Sequence, residues 1–233
     1  MSQYYSDYLL VPKGQEIIDS KMKDLIRKAI GSFEKSNGGK KPTNFIVYRD
    51  GVGDSMREQV LSREIPQLRE VIKELYNLAS SPEITVVIVN KRITQRFFVE
   101  DERGRLHNPP SGTILDTDLV EQDGISNETS GGAAGIFDFY LTPANTTQGC
   151  VLPTHFYVAL NASCLSKLDI EHLTFALCHF YYNWAGPIKV PAPCQYAHKI
   201  ADFYTTVGLD RHNKQRSGKN EMDPDKKWTM DKV

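Results

Sequence analysis

The stretch Phe45-Ile46-Val47-Tyr48-Arg49-Asp50-Gly51-Val52 constrains the chain more than any other. Four strand-forming residues run directly into a charged pair and a glycine. Phe, Ile, Val and Tyr suit a pleated, buried surface. A run this apolar, with little alternation, predicts a central strand of a sheet covered on both faces. Asp50 then lies at the strand's carboxyl end, where open α/β sheets bind their ligands. Aspartate at such a place also opens turns and caps helices. The stretch alone leaves both roles open.

The rest of the chain narrows the choice. Its 233 residues are enough for one large domain or two small ones with a real core. A charged fraction of 24% and an apolar fraction of 40% are those of a globular protein. The net charge of −1 gives no overall attraction to nucleic acid or membrane, so any polyanion site is a local cluster. Cys150, Cys164, Cys178 and Cys194 include no close pair, which excludes the usual zinc spacings and argues against a disulfide framework. A reducing compartment is expected, and all four thiols are read as small buried hydrophobes. No segment has the character of a signal peptide, and no apolar run approaches the roughly 20 residues of a membrane span.

Taken in order, Tyr4 to Val11 reads as a strand broken by Pro12-Lys13-Gly14. Ile18, Met22, Leu25, Ile26, Ala29, Ile30 and Phe33 recur at helical spacing between Gln15 and Ser36, and Asn37-Gly38-Gly39 ends that helix. A second helical stretch runs from about Ser55 to Leu78 and restarts at Pro66, since proline suits a first turn. Ile84 to Val89 is another apolar strand. This alternation predicts an α/β fold with parallel strands joined by helical crossovers. Gly112–Asp116, Phe137–Leu141 and His155–Leu160 read as further strands. Leu168–Trp184 reads as a helix buried along Leu173, Ala176, Leu177, Phe180 and Tyr181, and a last helix begins near Gln195. The polar segment from Glu121 to Gly135 is expected to be an inserted flexible loop, and the charged tail 207–233 to be disordered.

Glu16, Asp50 and His198 are the candidate catalytic group. Hard divalent cations such as Mg²⁺ take carboxylate oxygens, and Mn²⁺ also takes an imidazole. Two such ions about 3.5–4 Å apart can activate water and stabilise the leaving oxygen of a phosphodiester. Each residue also has an ordinary explanation: glutamate suits a helix's first turn, and a single helical histidine is commonly structural.

The motifs around these residues resemble one family. Tyr48-Arg49-Asp50-Gly51-Val52, Leu177-Cys178-His179-Phe180-Tyr181-Tyr182-Asn183-Trp184 and Pro191-Ala192-Pro193-Cys194-Gln195-Tyr196-Ala197-His198-Lys199 are similar to the PIWI domain of Argonaute proteins. The Asn-Trp pair and the Cys-Gln-Tyr-Ala-His-Lys run resemble its Piwi branch. Tyr4-Tyr5-Ser6, Gln15-Glu16-Ile17-Ile18, Asn108-Pro109, Asp138-Phe139-Tyr140-Leu141 and Pro153-Thr154-His155-Phe156 match in the same order, over about residues 3 to 206.

The resemblance implies an RNase H-like mixed sheet flanked by helices. It implies a small guide RNA that directs metal-dependent cleavage of a complementary target RNA. Asp50 matches the second catalytic aspartate and His198 the last tetrad member, both metal ligands for Mg²⁺ or Mn²⁺. Glu16 matches the glutamate that completes the site. Lys91, Arg96, Tyr181 and Lys189 match positions on the guide backbone, where Arg, Lys and Tyr grip phosphates without reading sequence. Solvated surface charge is the ordinary alternative for Lys91 and Arg96.

The family's first catalytic aspartate lies on a strand upstream of Tyr-Tyr-Ser. The expectation is therefore a partial PIWI domain over 1–206, without its first strand and one metal ligand, and with an unpaired strand edge. The guide's 5′-phosphate pocket and the PAZ domain are expected to be missing too. Three functions follow as expectations. The parent protein is a guide-directed endoribonuclease, or a guide-binding silencing module that recruits proteins without cutting, or this chain is an inactive truncated product. The expected setting is cytoplasm, nucleus or both, with no membrane.

Overall fold

The computed structural model describes residues 4–9, 22–76, 82–117, 135–146 and 148–216. They divide into two compact units, 1–197 and 198–233. In the first unit, α1 (Met22–Ser36) leads to β1 (Asn44–Asp50), then a 3₁₀ turn (Asp54–Met56), α2 (Arg57–Gln59), a π-helical turn (Val60–Glu64) and α3 (Ile65–Leu75). β2 (Glu83–Asn90), the short β3 (Val99–Glu100) and β4 (Leu106–His107), β5 (Thr113–Leu115), β6 (Phe137–Thr142) and β7 (Thr154–Ala162) follow, then α4 (Lys167–Leu177). The last helix, α5 (Ala192–Arg216), begins in the first unit. No described helix is long and apolar enough to cross a membrane.

Among the described residues the main sheet has five strands in the order β1-β2-β7-β6-β5. β1 and β2 run parallel, joined by the crossover through α3, while the other pairs are antiparallel. The sheet is therefore mixed, as the sequence motifs imply. Strand alternation sends side chains to two cores. Val86, Ile88, Tyr157 and Ala159 meet Val60, Ile65, Leu68 and Ile72 on one face. Val87, Val89, Phe139, Phe156 and Val158 meet Ile170, Cys178 and Cys194 on the other. β2 reads as a continuous apolar run because both its faces are covered.

Several expectations change. The apolar run of β1 predicts a central strand, and among the described residues it is an end strand, only half-buried. β2 has the central character, because it pairs on both sides. Residues 4–9 pair with no described strand; Tyr4 instead packs edge-on against Tyr196, centroids 5.0 Å apart. The helix expected from 168 to 184 stops at Leu177. Ser166 and Asp169 form a reciprocal capping box at its start, and the Cys178 amide closes its end on Thr174 and Phe175 carbonyls. Its buried side is Ile170, Glu171 and Thr174, whereas Ala176 and Phe180 are exposed. Cys178 and Cys194 are buried as expected, but Cys150 and Cys164 are exposed. α5 continues to Arg216, ten residues into the segment expected to be without structure. Residues 118–134 and 217–233, which carry nearly all of the loop and the rest of the tail, lie outside the described residues.

Candidate functional site

β1 divides its two charged residues between the sheet's faces. Arg49 points to the α3 side, where its Nε and Nη2 donate to Glu64 at 2.7 and 3.0 Å. Glu64 is only 2% exposed and is brought there by the π-helical turn. Such turns concentrate at functional sites. Arg49 Nη1 also donates to the Asp50 carbonyl at 2.6 Å. The clamp holds the backbone where β1 ends.

Asp50 points to the opposite face. Its Oδ1 accepts from the Gly51 amide at 2.7 Å, a turn that Gly51 permits by adopting φ +83°. Its Oδ2 accepts from Lys91 Nζ at 2.7 Å, with the two side chains 12% and 28% exposed. The pairing follows from register: Asp50 stands opposite Val89, and Lys91 lies two residues further along β2's direction. Behind the pair sits Cys194. Burial raises its thiol pKa to about 12, with the Asp50 charge adding to the rise and the Lys91 charge opposing it. Tyr48, on the same face as Asp50, bonds to Thr174 at 2.9 Å, and its own burial pushes its phenol pKa well up.

Lys91 also lines an open groove of about 650 Å³ with Lys189, Gln195, Trp184, Asn145 and Ser111. Two ammonium groups, two amides and an indole are the chemistry of a polyanion with flat bases: charges for phosphates, a ring for stacking. Lys91 and Lys189 are thus brought together. Tyr181 is buried, its ring 5.4 Å from Tyr196. Arg96 is exposed and donates to its own loop's Ile93 and Gln95 carbonyls. His198 lies on α5 as the first residue of the second unit. Glu16 lies outside the described residues.

Among the described residues, no three His, Cys, Asp or Glu side chains converge as a metal site. Asp50 has an ammonium on one oxygen and an amide on the other. The described residues by themselves therefore do not fit a divalent ion or an ion pair.

Sequence reading missed three features. Trp184, Asn145 and Ser111 enter the groove from separate loops, and in sequence Trp184 reads only as a helix end and part of a motif. The Arg49–Glu64 clamp had no signal, because nothing in sequence pairs a strand residue with one fifteen positions on. Buried Asp138 meets His155 across β6 and β7 at 2.6 Å, and alternation along β6 alone does not announce a charge inside.

Comparison with known proteins agrees with this architecture. The family model for the Piwi domain matches residues 1–207. "Piwi-like protein 1" of Danio rerio is 40% identical over 201 residues, covering 86% of this chain and 22% of that protein. The chain thus spans less than a quarter of the length of such curated relatives. The crystal structure of Drosophila Piwi superposes with a TM-score of 0.64 at 33% identity, over 79% of this chain and 23% of that one. Kluyveromyces polysporus Argonaute, solved with a guide RNA, gives 0.64 at 23% identity over 79% and 22%. The latter likeness is one of fold, the RNase H-like fold of the Argonaute PIWI lobe.

Proposed function

The chain belongs to the Piwi domain family, and from that premise we propose that it forms the RNA-holding part of a small-RNA-guided silencing protein. The observation that carries this reading is the groove: Lys91 and Lys189 line one cavity with Trp184 and two amide side chains. Ammonium groups on flexible stems grip a phosphate backbone as point charges and read no sequence. Tyr181 and Arg96 are proposed as further guide contacts, Arg96 after leaving its own loop. The partners are a guide RNA and its complementary target, in cytoplasm or nucleus.

Titration of single-stranded RNA against the 233-residue chain over a range of salt tests this. Affinity should fall steeply with salt, and Lys91→Gln and Lys189→Gln should each reduce the slope by about one phosphate contact. Binding that ignores both substitutions and the salt would refute the reading.

Cleavage of the target belongs, on this reading, to the complete parent protein with Mg²⁺ or Mn²⁺. Asp50 and His198 are its proposed ligands, and Glu16 its proposed completing carboxylate. In a Mn²⁺-supplemented cleavage assay of the parent, Asp50→Ala should abolish cutting and keep guide binding. Equal cutting by wild type and Asp50→Ala would refute it. One observation favours a second reading, a guide-binding silencing module that recruits proteins without cutting: the Asp50 carboxylate is held by Lys91.

A further inference from the structure

We propose that Tyr140 is a positioning residue for RNA binding: through Phe97 it fixes the basic segment 91–98, which carries Arg96. The proposal rests on the RNA-binding reading and goes beyond it, because it gives a task to a buried ring that is not part of the groove lining.

Segment 91–98 joins β2 to β3 and forms neither helix nor strand. It is pinned near both ends. Lys91 donates to Asp50 at 2.7 Å, and the Phe97 ring meets Tyr140 edge-on, centroids 5.4 Å apart. Between these pins Arg92, Gln95 and Arg96 are exposed. Arg96 donates to the Ile93 and Gln95 carbonyls, so its guanidinium travels with the segment. It follows Lys91 by five residues, which holds the two Cα atoms within about 17 Å of each other. Where Phe97 sits therefore decides where Arg96 stands beside the groove.

The pin at Phe97 is only as firm as the ring it meets. Tyr140 lies on β6 directly opposite His155 of β7, and the two rings stack with centroids 4.5 Å apart and planes 23° from parallel. His155 Nε2 lies 2.6 Å from Oδ2 of Asp138, which is two residues before Tyr140 on the same face of β6. A carboxylate only accepts, so Nε2 carries the hydrogen, and that bond fixes the plane of the imidazole. The stack passes the fixed plane to Tyr140, and the edge-on contact passes it to Phe97; both are preferred aromatic geometries. A segment pinned beforehand loses less conformational entropy when a phosphate binds it than a free one does.

Fluorescence anisotropy of a short labelled single-stranded RNA, over a range of salt, reads this link on the full 233-residue chain. Arg96→Gln should weaken binding and lower the salt slope by about one phosphate contact. Phe97→Ala and Tyr140→Leu should each do the same, with a loss of about five-fold at low salt, within the range of coupling between touching residues. Tyr140→Phe keeps the ring and should bind as wild type does. In the Phe97→Ala background, Arg96→Gln should weaken binding by less than about two-fold, whereas Lys189→Gln should keep its full effect.

The double variants separate positioning from a general loosening of the chain. If Arg96→Gln weakens binding as much in the Phe97→Ala background as in wild type, the two act independently and the proposal fails. If wild type binds RNA but Arg96→Gln or Phe97→Ala leaves the affinity and salt slope unchanged, the positioning role fails while the reading of the groove stands. If no variant binds RNA at low salt, both fail. Should Tyr140→Leu not fold, as judged by circular dichroism, Phe97→Ala decides the question, since that ring is only half-buried.

Discussion

Glu171 gives the sharpest stability prediction. It lies on α4, 3% exposed, and its Oε1 has no hydrogen-bond partner among the described residues. Burial lifts its carboxyl pKa from 4.5 to about 7; the Asp116 charge adds to the rise and Lys167, ion-paired with Asp116 at 2.8 Å, opposes it. In the folded chain Glu171 keeps its proton up to about pH 7, while in the unfolded chain it loses it near 4.5. Between those values the folded state binds more protons, so stability falls as pH rises, and the full penalty is present above pH 7. A displacement of that size corresponds to about 3 kcal/mol as a ceiling. Relaxation around the carboxylate and the nearby Lys167 reduce it. Glu171→Gln removes the titrating proton and keeps the side chain's shape. At pH 8 the variant should be the more stable by about 1–3 kcal/mol, or roughly 3–9 °C in Tm for a chain this size. At pH 4 the two should nearly coincide. Urea unfolding followed by tryptophan fluorescence at several pH values measures the difference, and other titrating groups cancel between the two proteins. Parallel pH profiles, or a variant that is less stable at pH 8, would refute the assignment of a buried, proton-holding carboxyl.

Other expectations follow from the same geometry. Glu64→Gln strips the buried partner from Arg49 and should cost about 3 kcal/mol in urea unfolding, with Arg49→Met in the same chain recovering part of the loss. Phe139, fully buried and stacked 5.1 Å from Phe156, should cost about 3–5 kcal/mol as Phe139→Ala, because β6 and the helices behind it leave little room to close the cavity. Iodoacetamide should label Cys150 and Cys164 in the folded chain and reach Cys178 and Cys194 only on unfolding. Cys164 should react more slowly than Cys150, because it donates to the Glu83 carboxylate, which holds its thiol pKa up; mass spectrometry of the digested chain reads all four sites.

Much of the first unit was legible in the sequence, and each success has a local cause. The apolar runs at 45–48 and 84–89 gave two strands, and the three- and four-residue spacing gave α1 and α3. Pro66 falls in α3's first turn, where its missing amide costs no helical bond. Gly38 and Gly39 end α1 with positive φ. Asp50 at the close of its strand was visible for the same reason: strand, charge and glycine are neighbours in the chain. The ordered motifs pointed to the Piwi domain family, and the match over 1–207 bears that out.

Position within the fold was a different matter. An apolar run says that a strand is covered, not how many neighbours it has, so β1 was expected in the middle and lies at an end of the described sheet. Helix periodicity also overran α4, because Phe180 and Tyr181 continue the spacing although the chain has already turned at Cys178. The partners of charged groups were the least legible. The family resemblance places Lys91 on the guide backbone, with solvated surface charge as the alternative. That it also meets Asp50 depends on the parallel register of β1 with β2, a long-range pairing. Sequence alone determined the kinds of element, the family and which residues are ionisable, since these rest on the residues themselves and their neighbours in the chain. Only the tertiary structure decided which charges share a counter-ion, because that is settled by strand register and by which face of the sheet each side chain meets.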